Sequence, residues 1–150
     1  MEDFYTVDEI ARILRVTTRT VRNYLKDGSL KGRKIGGGWR FTEEDFMQFM
    51  SNADIVEKKI DEDKQDVIDF LDGLNADMSG EIQICTIIDV YLPADIVQEL
   101  SSALMRQTDG KDKCHFSFTY IETEGRARFT LFGSAVYIGQ AMDVVRQHGN

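Results

Sequence analysis

The N-terminal part of the chain contains most of the side chains that can bind an anion. Between Arg12 and Arg40 there are nine basic residues and one acid, a local charge of +8 in a chain whose net charge is −8. Clustered cations of this kind attract the phosphates of nucleic acid. The stretch from Ser51 to Gly80 carries a charge of −6, and the part from Glu81 onward carries −3. The first segment therefore suits phosphate contacts, while the rest repels phosphates and limits non-specific binding.

The sequence RKIGGGWRF, from Arg33 to Phe41, raises the alternative of a glycine-rich phosphate loop. A P-loop requires G-x-x-x-x-G-K-[ST] between a strand and a helix, and a dinucleotide fingerprint requires G-x-G-x-x-G. The segment fits neither pattern. Glycines at a hairpin turn supply the positive φ that other residues resist. We therefore predict a β-hairpin from Leu30 to Phe41 with the three glycines at its turn.

The hairpin is expected to separate its cations from its apolar residues. Alternation along the two strands predicts that Lys34 and Arg40 face outward together. Ile35, Trp39 and Phe41 are then expected to pack inward, with Trp39 filling the core beneath the hairpin.

Two short helices precede the hairpin. Thr6 and Glu9 form a capping-box pattern, and the helical spacing that follows ends near Arg15. Thr17 is a good cap for a second helix, which Gly28 ends. The connection of about three residues, Arg15 to Thr17, has helix-turn-helix spacing, although many helical hairpins share it.

The second helix carries a polar face that is rich in hydrogen-bond donors. Arg19 and Asn23 are four residues apart and share one side of the helix, and Arg22 extends that side. In the major groove, Arg binds guanine and Asn binds adenine in bidentate geometry. Taken alone, such a face is also typical of a solvated helix. The turn spacing, the hairpin and the local positive charge together favour DNA.

Residues 5–50 resemble the helix-turn-helix and wing of the excisionase-like branch of the MerR superfamily. The resemblance lies in the opening YTVDEIA, the turn and second helix LRVTTRTVRNYLKDG, the wing KIGG-WRF and the closing EEDFMQFM. It implies a winged-helix fold on double-stranded DNA, with the second helix in the major groove and the wing on the backbone or minor groove. Gly38 stands where members often carry a cation, so we expect the recognition helix to contribute more of the affinity here.

Nine polar or basic residues of the second helix and the wing are predicted to contact DNA. Base contacts would specify the sequence, and phosphate contacts would position the protein. They are Thr17, Thr18, Arg19, Thr20, Arg22, Asn23, Lys26, Lys34 and Arg40.

A long heptad pattern follows the wing. Thr42 is expected to cap a third helix, and apolar residues then recur at alternating spacings of three and four over four heptads. Asp63 alone interrupts this stripe, which consists of Phe46, Phe49, Ala53, Val56, Ile60, Asp63, Val67, Phe70 and Leu74. One long helix of this kind cannot bury its stripe alone. It needs a partner helix, in a second copy or in the C-terminal part of the chain.

The C-terminal part, from Glu81 to Asn150, predicts the order βαββα, with the helices on one face of an antiparallel sheet. This order resembles an ACT or ferredoxin-like domain without its final strand. Three roles remain open for it: dimerisation, binding of a small-molecule effector, or contact with another protein.

The predicted fold class is α+β, in three parts. Residues 1–50 form the winged helix-turn-helix domain, residues 51–80 the dimerisation helix and connector, and residues 81–150 the α+β domain. The predicted function is a sequence-specific, double-stranded DNA-binding transcriptional regulator that acts as a homodimer. The alternatives are an excisionase-type architectural factor, or an interaction module whose C-terminal domain binds a ligand or protein. Excisionase-type factors are little more than the DNA-binding unit, so the C-terminal domain counts against the first alternative.

The remaining residues give no pattern for an enzyme, a cofactor or a metal. Cys85, Cys114, His115 and His148 lack the close ligand pairs of a zinc site, and no nucleophile has a supporting base. The sequence lacks the run of about 18 apolar residues that a membrane span needs. The acidic N-terminus is not a secretory signal, and two cysteines fit a reducing cytosol. We therefore expect a cytoplasmic protein without catalytic activity.

Overall fold

A computed structural model describes residues 4–74, 82–108 and 114–149. Six helices and six strands are assigned within these ranges. In chain order they are β1 (Phe4–Thr6), α1 (Val7–Leu14), α2 (Thr18–Asp27), β2 (Arg33–Ile35), β3 (Gly38–Thr42), α3 (Glu43–Met50), α4 (Ala53–Leu71), β4 (Ile84–Val90), α5 (Ala94–Thr108), β5 (His115–Ile121), β6 (Arg126–Gly133) and α6 (Ala135–Gly149). The predicted α+β class, with an N-terminal winged helix-turn-helix and a C-terminal βαββα order, is confirmed.

Local capping sets the helix boundaries of the N-terminal part. The Thr6 side chain accepts a hydrogen bond from the Glu9 amide at 3.1 Å, and the Glu9 carboxylate accepts one from the Thr6 amide at 3.2 Å. The reciprocal pair satisfies two amides that the first helical turn leaves free. Strands β1, β3 and β2 form an antiparallel sheet in that order. Beneath it, Ile10, Val21 and Phe41 are fully buried.

The prediction of one long heptad helix is wrong, because the chain breaks between α3 and α4. Asn52 takes an extended conformation and its side chain accepts a hydrogen bond from the Asp54 amide at 3.0 Å. This N-cap starts a new helix. Phe46 and Phe49 on α3 are buried in the winged-helix core. The heptad pattern therefore joined two separate amphipathic segments that happen to be in phase.

Helix α4 packs on the C-terminal sheet of its own chain, against β5. The residue that interrupts the predicted stripe, Asp63, is buried there with Lys59. The Ser117 hydroxyl donates a hydrogen bond to Asp63 Oδ1 at 2.5 Å. Burial raises the pKa of the Asp63 carboxyl, although this hydrogen bond and the Lys59 charge lower it in part. The predicted partner of this helix was either a second copy or the C-terminal part of the chain. In the structure, α4 packs on the C-terminal domain.

The C-terminal sheet is antiparallel with the order β4-β6-β5. On one face, Phe118, Phe129 and Leu131 form a fully buried core with residues of α5 and α6, such as Leu104 and Ala141. These two helices cover one face, as predicted. Helix α4 adds a layer over part of the other face, at β5.

The winged helix and the sheet domain contact each other at several points. Helix α1 contacts β5, and α3 contacts α5. The guanidinium of Arg106 lies 3.4 Å from the Glu43 carboxylate and 5.4 Å from the centre of the Tyr5 ring. The α2 helix is thus attached to a body larger than its own domain. The division at residues 50 and 80 stays a prediction.

Candidate nucleic-acid interface

The turn before α2 is built by a residue in an uncommon conformation. Arg15 ends α1 with φ 59° and ψ 43°, a left-handed position that non-glycine residues seldom take. Thr17 then caps α2: its hydroxyl accepts a hydrogen bond from the Thr20 amide at 3.1 Å. Two residues, Arg15 and Val16, therefore separate α1 from the cap. This compact turn fixes the direction in which α2 leaves α1.

Helix α2 is divided lengthwise into a packed side and an open side. Val21 is fully buried, and the Tyr24 ring packs 4.9 Å from the ring of Phe49. The opposite side carries Arg19 and Arg22, both exposed. Neither guanidinium forms an ion pair within residues 4–74, 82–108 and 114–149. These cations are available to a partner outside the chain.

The structure brings all the predicted contact residues of α2 to the ends or the open side of this helix. They differ in exposure. Thr17, Arg19, Arg22, Asn23 and Lys26 are exposed, and Thr18 and Thr20 are half-buried.

The wing differs from its predicted register by one residue. The turn consists of Gly36 and Gly37, with φ 58° and 87°, so the third glycine belongs to β3. Positive φ at both central positions is the requirement of the tight two-residue hairpin turn. Ile35 therefore pairs with Gly38, and Lys34 pairs with Trp39. A shift of one residue moves every side chain to the other face.

This register corrects the predicted faces of the wing. Lys34 lies on the face of Trp39, while Arg40 lies on the opposite face together with its cross-strand partner Arg33. Ile35 does not hold the wing to the core, since 46% of its surface is exposed. The sequence reasoning omitted Arg33 from the contact set. A turn of two glycines, assumed from the sequence, would have placed Arg33 opposite Arg40 on the outer face.

The guanidinium of Arg40 occupies the space beside the third glycine. Its Nη1 donates a hydrogen bond to the Trp39 carbonyl at 2.8 Å. A Cβ atom on Gly38 would lie 2.8 Å from that nitrogen. Because Gly38 has no side chain, it leaves room for the guanidinium of Arg40, two residues later. The wing tip thus keeps a positive charge.

A charged cluster ties the turn before α2 to the C-terminal part of the chain. Arg15 Nη1 donates to Asp66 Oδ2 of α4 at 2.7 Å and lies 3.1 Å from Nε2 of His115 on β5. Burial, the largest cause, and the nearby charges of Arg15 and Lys59 together lower the pKa of His115 to about 3. His115 is therefore neutral at pH 7, and its Nε2 is free to accept the hydrogen bond from Arg15. The turn is clamped by residues from two distant elements.

The described residues outside this surface show no grouping for a metal. Cys85 and Cys114 are free thiols. Within the described part of the chain, no three His, Cys, Asp or Glu side chains come together as metal ligands. Among the same residues, no helix is both long enough and apolar enough to cross a membrane.

Comparison with known proteins supports the interpretation of this geometry. Residues 4–54 match the model of a family described as a helix-turn-helix domain. The chain carries a DNA-binding helix-turn-helix. The match covers β1 to the start of α4, which includes the turn, α2 and the wing. No curated protein and no solved structure matches the chain.

Proposed function

We propose that the protein is a sequence-specific, double-stranded DNA-binding transcriptional regulator that acts as a homodimer in the cytoplasm, without catalytic activity. The observation that carries the proposal is the open side of α2. There Arg19, Arg22 and Asn23 project from a helix whose other side is anchored in the core. A row of exposed donors on a helix anchored in this way is suited to reading base edges in the major groove.

The proposed docking assigns base contacts to α2 and phosphate contacts to its surroundings. Helix-turn-helix proteins place the N-terminal residues of the recognition helix against base edges, which here are Thr17 to Asn23. Lys26 lies in the last turn of α2, and we assign it a phosphate contact. On the wing, Lys34 lies on one face, and Arg33 and Arg40 lie on the other. The wing can therefore contact the backbone on both of its faces.

The β4 strand supports the proposed homodimer. No strand among the described residues pairs with its outer edge, whereas β5, the other edge strand, is largely buried beside α1 and α4. Natural edge strands usually carry lysine, proline or a bulge that prevents pairing. From Ile84 to Val90 there is no lysine, arginine or proline. Asp89 is neutralised by Arg128, whose Nε and Nη2 donate to it at 2.7 and 2.8 Å.

Antiparallel pairing of β4 with the β4 of a second copy is self-complementary. A twofold axis at Ile87 places Ile84 opposite Val90 and Thr86 opposite Ile88, and it keeps each face of the sheet continuous. Exposed apolar side chains surround this edge and the end of α4. They are Ile68, Leu71, Leu74, Ile82, Ile87 and Tyr91. An apolar patch of this kind marks an interaction surface, and a dimer would present two α2 helices to two half-sites.

A gel-shift titration tests the DNA assignment. DNA fragments from the protein's own locus are titrated at low and moderate salt with the wild type, Arg19→Ala and Arg22→Ala. We expect binding that weakens with salt and is reduced by either substitution. Arg146→Ala is the matched control, because it removes one cation from an exposed site on α6. If both α2 variants bind every fragment as the wild type does, α2 is not the recognition helix.

Light scattering at micromolar concentration tests the dimer separately. We expect a mass of twice 17.1 kDa for the wild type. Ile87→Lys places a charge at the centre of the proposed strand pair and should give the monomer mass. Ile35→Lys, at an exposed position on the wing, should remain a dimer. A wild type of monomer mass would overturn the homodimer and leave the DNA assignment to be judged by the gel shift.

A further inference from the structure

A cavity of about 330 Å³ lies between α4 and the sheet, on the side opposite α5 and α6. Its walls are apolar: Ile60, Val67 and Ile68 come from α4, and Ile87 comes from β4. Ligand-binding clefts in proteins start at about 300 Å³ and are mostly apolar with a few polar groups. The volume and the walls are therefore suited to a small organic molecule.

Two threonines on neighbouring strands supply the polar groups of the cavity floor. Thr119 on β5 and Thr130 on β6 both line the cavity, and their relative exposures are 1% and 2%. Neither hydroxyl has a hydrogen-bond partner within the described residues, whereas Ser117 on the same face donates to Asp63. Neither oxygen is fully enclosed by protein, so both can be reached from the cavity. Two accessible hydroxyls on one cavity floor can therefore hydrogen-bond to a molecule that enters the cavity.

The charges around the cavity favour an uncharged head group. Asp63 brings a carboxylate that already accepts from Ser117. Lys64 and Arg128 bring cations to the lining, and Arg128 is held by Asp89. Because the lining carries charges of both signs, a charged head of either sign would meet a like charge as well as an opposite one. Either charge would also lose its hydration among isoleucine and valine side chains.

We propose that this cavity binds a small, uncharged amphipathic molecule, with its apolar body between Ile60, Val67 and Ile87 and a hydroxyl or amide head hydrogen-bonded to Thr119 and Thr130. The ligand acts as an effector of DNA binding, a role that rests on the proposed function. Asp63, which lines the cavity, is three residues before Asp66, which holds Arg15 at the turn before α2. A ligand that moves α4 against the sheet thereby changes the position of α2.

Binding is tested with three linear probes of six carbon atoms each: 1-hexanol, hexylamine and hexanoate. The wild-type full chain is titrated and followed by amide chemical shifts in ¹H–¹⁵N spectra at pH 7. We expect saturable shifts for 1-hexanol in α4, β5 and β6, with an affinity about tenfold or more above that of either charged probe. Equal affinities for the three probes, or shifts located elsewhere, would overturn the proposed site.

Two variants examine the head and the body of the ligand. Thr130→Val removes a hydroxyl at nearly constant volume and should weaken 1-hexanol binding by about two- to tenfold. Its control, Thr86→Val, changes a threonine on the other face of the sheet and should bind as the wild type does. Val67→Trp fills the cavity and should abolish saturable binding. Amide spectra of each variant without probe establish that it is folded, and unchanged binding by folded Val67→Trp contradicts the site.

The effector role is tested by repeating the DNA titration with and without saturating 1-hexanol. We expect the DNA dissociation constant of the wild type to change by about fivefold or more, while Val67→Trp, which controls for the solvent, should not respond. If 1-hexanol binds and DNA affinity is unchanged, the effector role is wrong. If no DNA fragment is bound at all, the proposed function fails, whereas the chemical-shift titration still decides whether the ligand site exists.

Discussion

His115 gives the sharpest prediction about the junction of the two domains. Its ring is buried, stacks 5.6 Å from the Phe132 ring and has Arg15 Nη1 3.1 Å from Nε2. Asp66 lies 3.5 Å from the same nitrogen, but its Oδ2 already accepts from Arg15 at 2.7 Å. Protonation of His115 would put a third cation beside Arg15 and Lys59. Acidification should therefore loosen the contact between the helix-turn-helix and the sheet domain.

The size of the effect follows from the two pKa values. The pKa of His115 is about 3 when folded and 6.5 when unfolded, so the unfolded state binds more protons between these values. The stability that neutral His115 contributes is thus present above pH 6.5 and is lost as the pH falls toward the folded pKa. The expected loss relative to pH 7.5 is about 0.4 kcal/mol at pH 6.5 and about 1.4 kcal/mol at pH 5.5. A folded pKa one unit higher would leave both values nearly unchanged.

Urea denaturation at pH 7.5, 6.5 and 5.5 measures this dependence. The comparison is between the wild type and His115→Gln, since glutamine can still accept the hydrogen bond from Arg15 but does not titrate. The difference between the two proteins isolates His115, because Asp63 titrates in both. Parallel pH profiles for the wild type and His115→Gln would refute the reasoning.

Three further predictions concern the wing, the recognition helix and the buried carboxylate. Gly37→Ala forces a side chain onto a residue with φ 87° and should lower the free energy of unfolding by about 1–2 kcal/mol in urea titrations, whereas Gly149→Ala, which meets open space, should have little effect. Thr17→Ala removes the cap of α2 and should lower it by about 1 kcal/mol, while Thr17→Ser restores it; equal stabilities of the two variants would contradict the role of the cap. Because the pKa of Asp63 is raised, its carboxyl favours folding at low pH and opposes it once ionised. Asp63→Asn, which can still accept a hydrogen bond from Ser117, should be more stable than the wild type at pH 7.5. This difference in the free energy of unfolding should shrink as the pH falls toward 4, and a constant difference would disprove the explanation.

The features that sequence could predict depend on neighbouring residues. The Thr6–Glu9 capping box, the Thr17 cap and the Gly28 end of α2 act within one helical turn, so residue type and spacing determine them. The wing register was missed because it depends on whether two or three glycines form the turn. The break at Asn52 was missed because the apolar period continues across it while the cap interrupts the helix.

The features that sequence could not predict join distant residues. Arg15 is 51 residues from Asp66 and 100 from His115, and no local pattern connects the three. Asp63 looked like an interruption of an apolar stripe until its partner Ser117, 54 residues away, was in place. Contacts of this kind depend on how helices and sheets pack together.

The central claim is that α2 reads base edges, and a base scan of the bound DNA fragment tests it most directly. Each base pair of the site is replaced in turn, and dissociation constants are measured by fluorescence anisotropy for the wild type, Arg19→Ala and Arg146→Ala. We expect one guanine whose replacement costs the wild type and Arg146→Ala about 1–3 kcal/mol but costs Arg19→Ala almost nothing. A uniform loss of affinity in Arg19→Ala, with the base preferences of the wild type intact at every position, would contradict base recognition by α2.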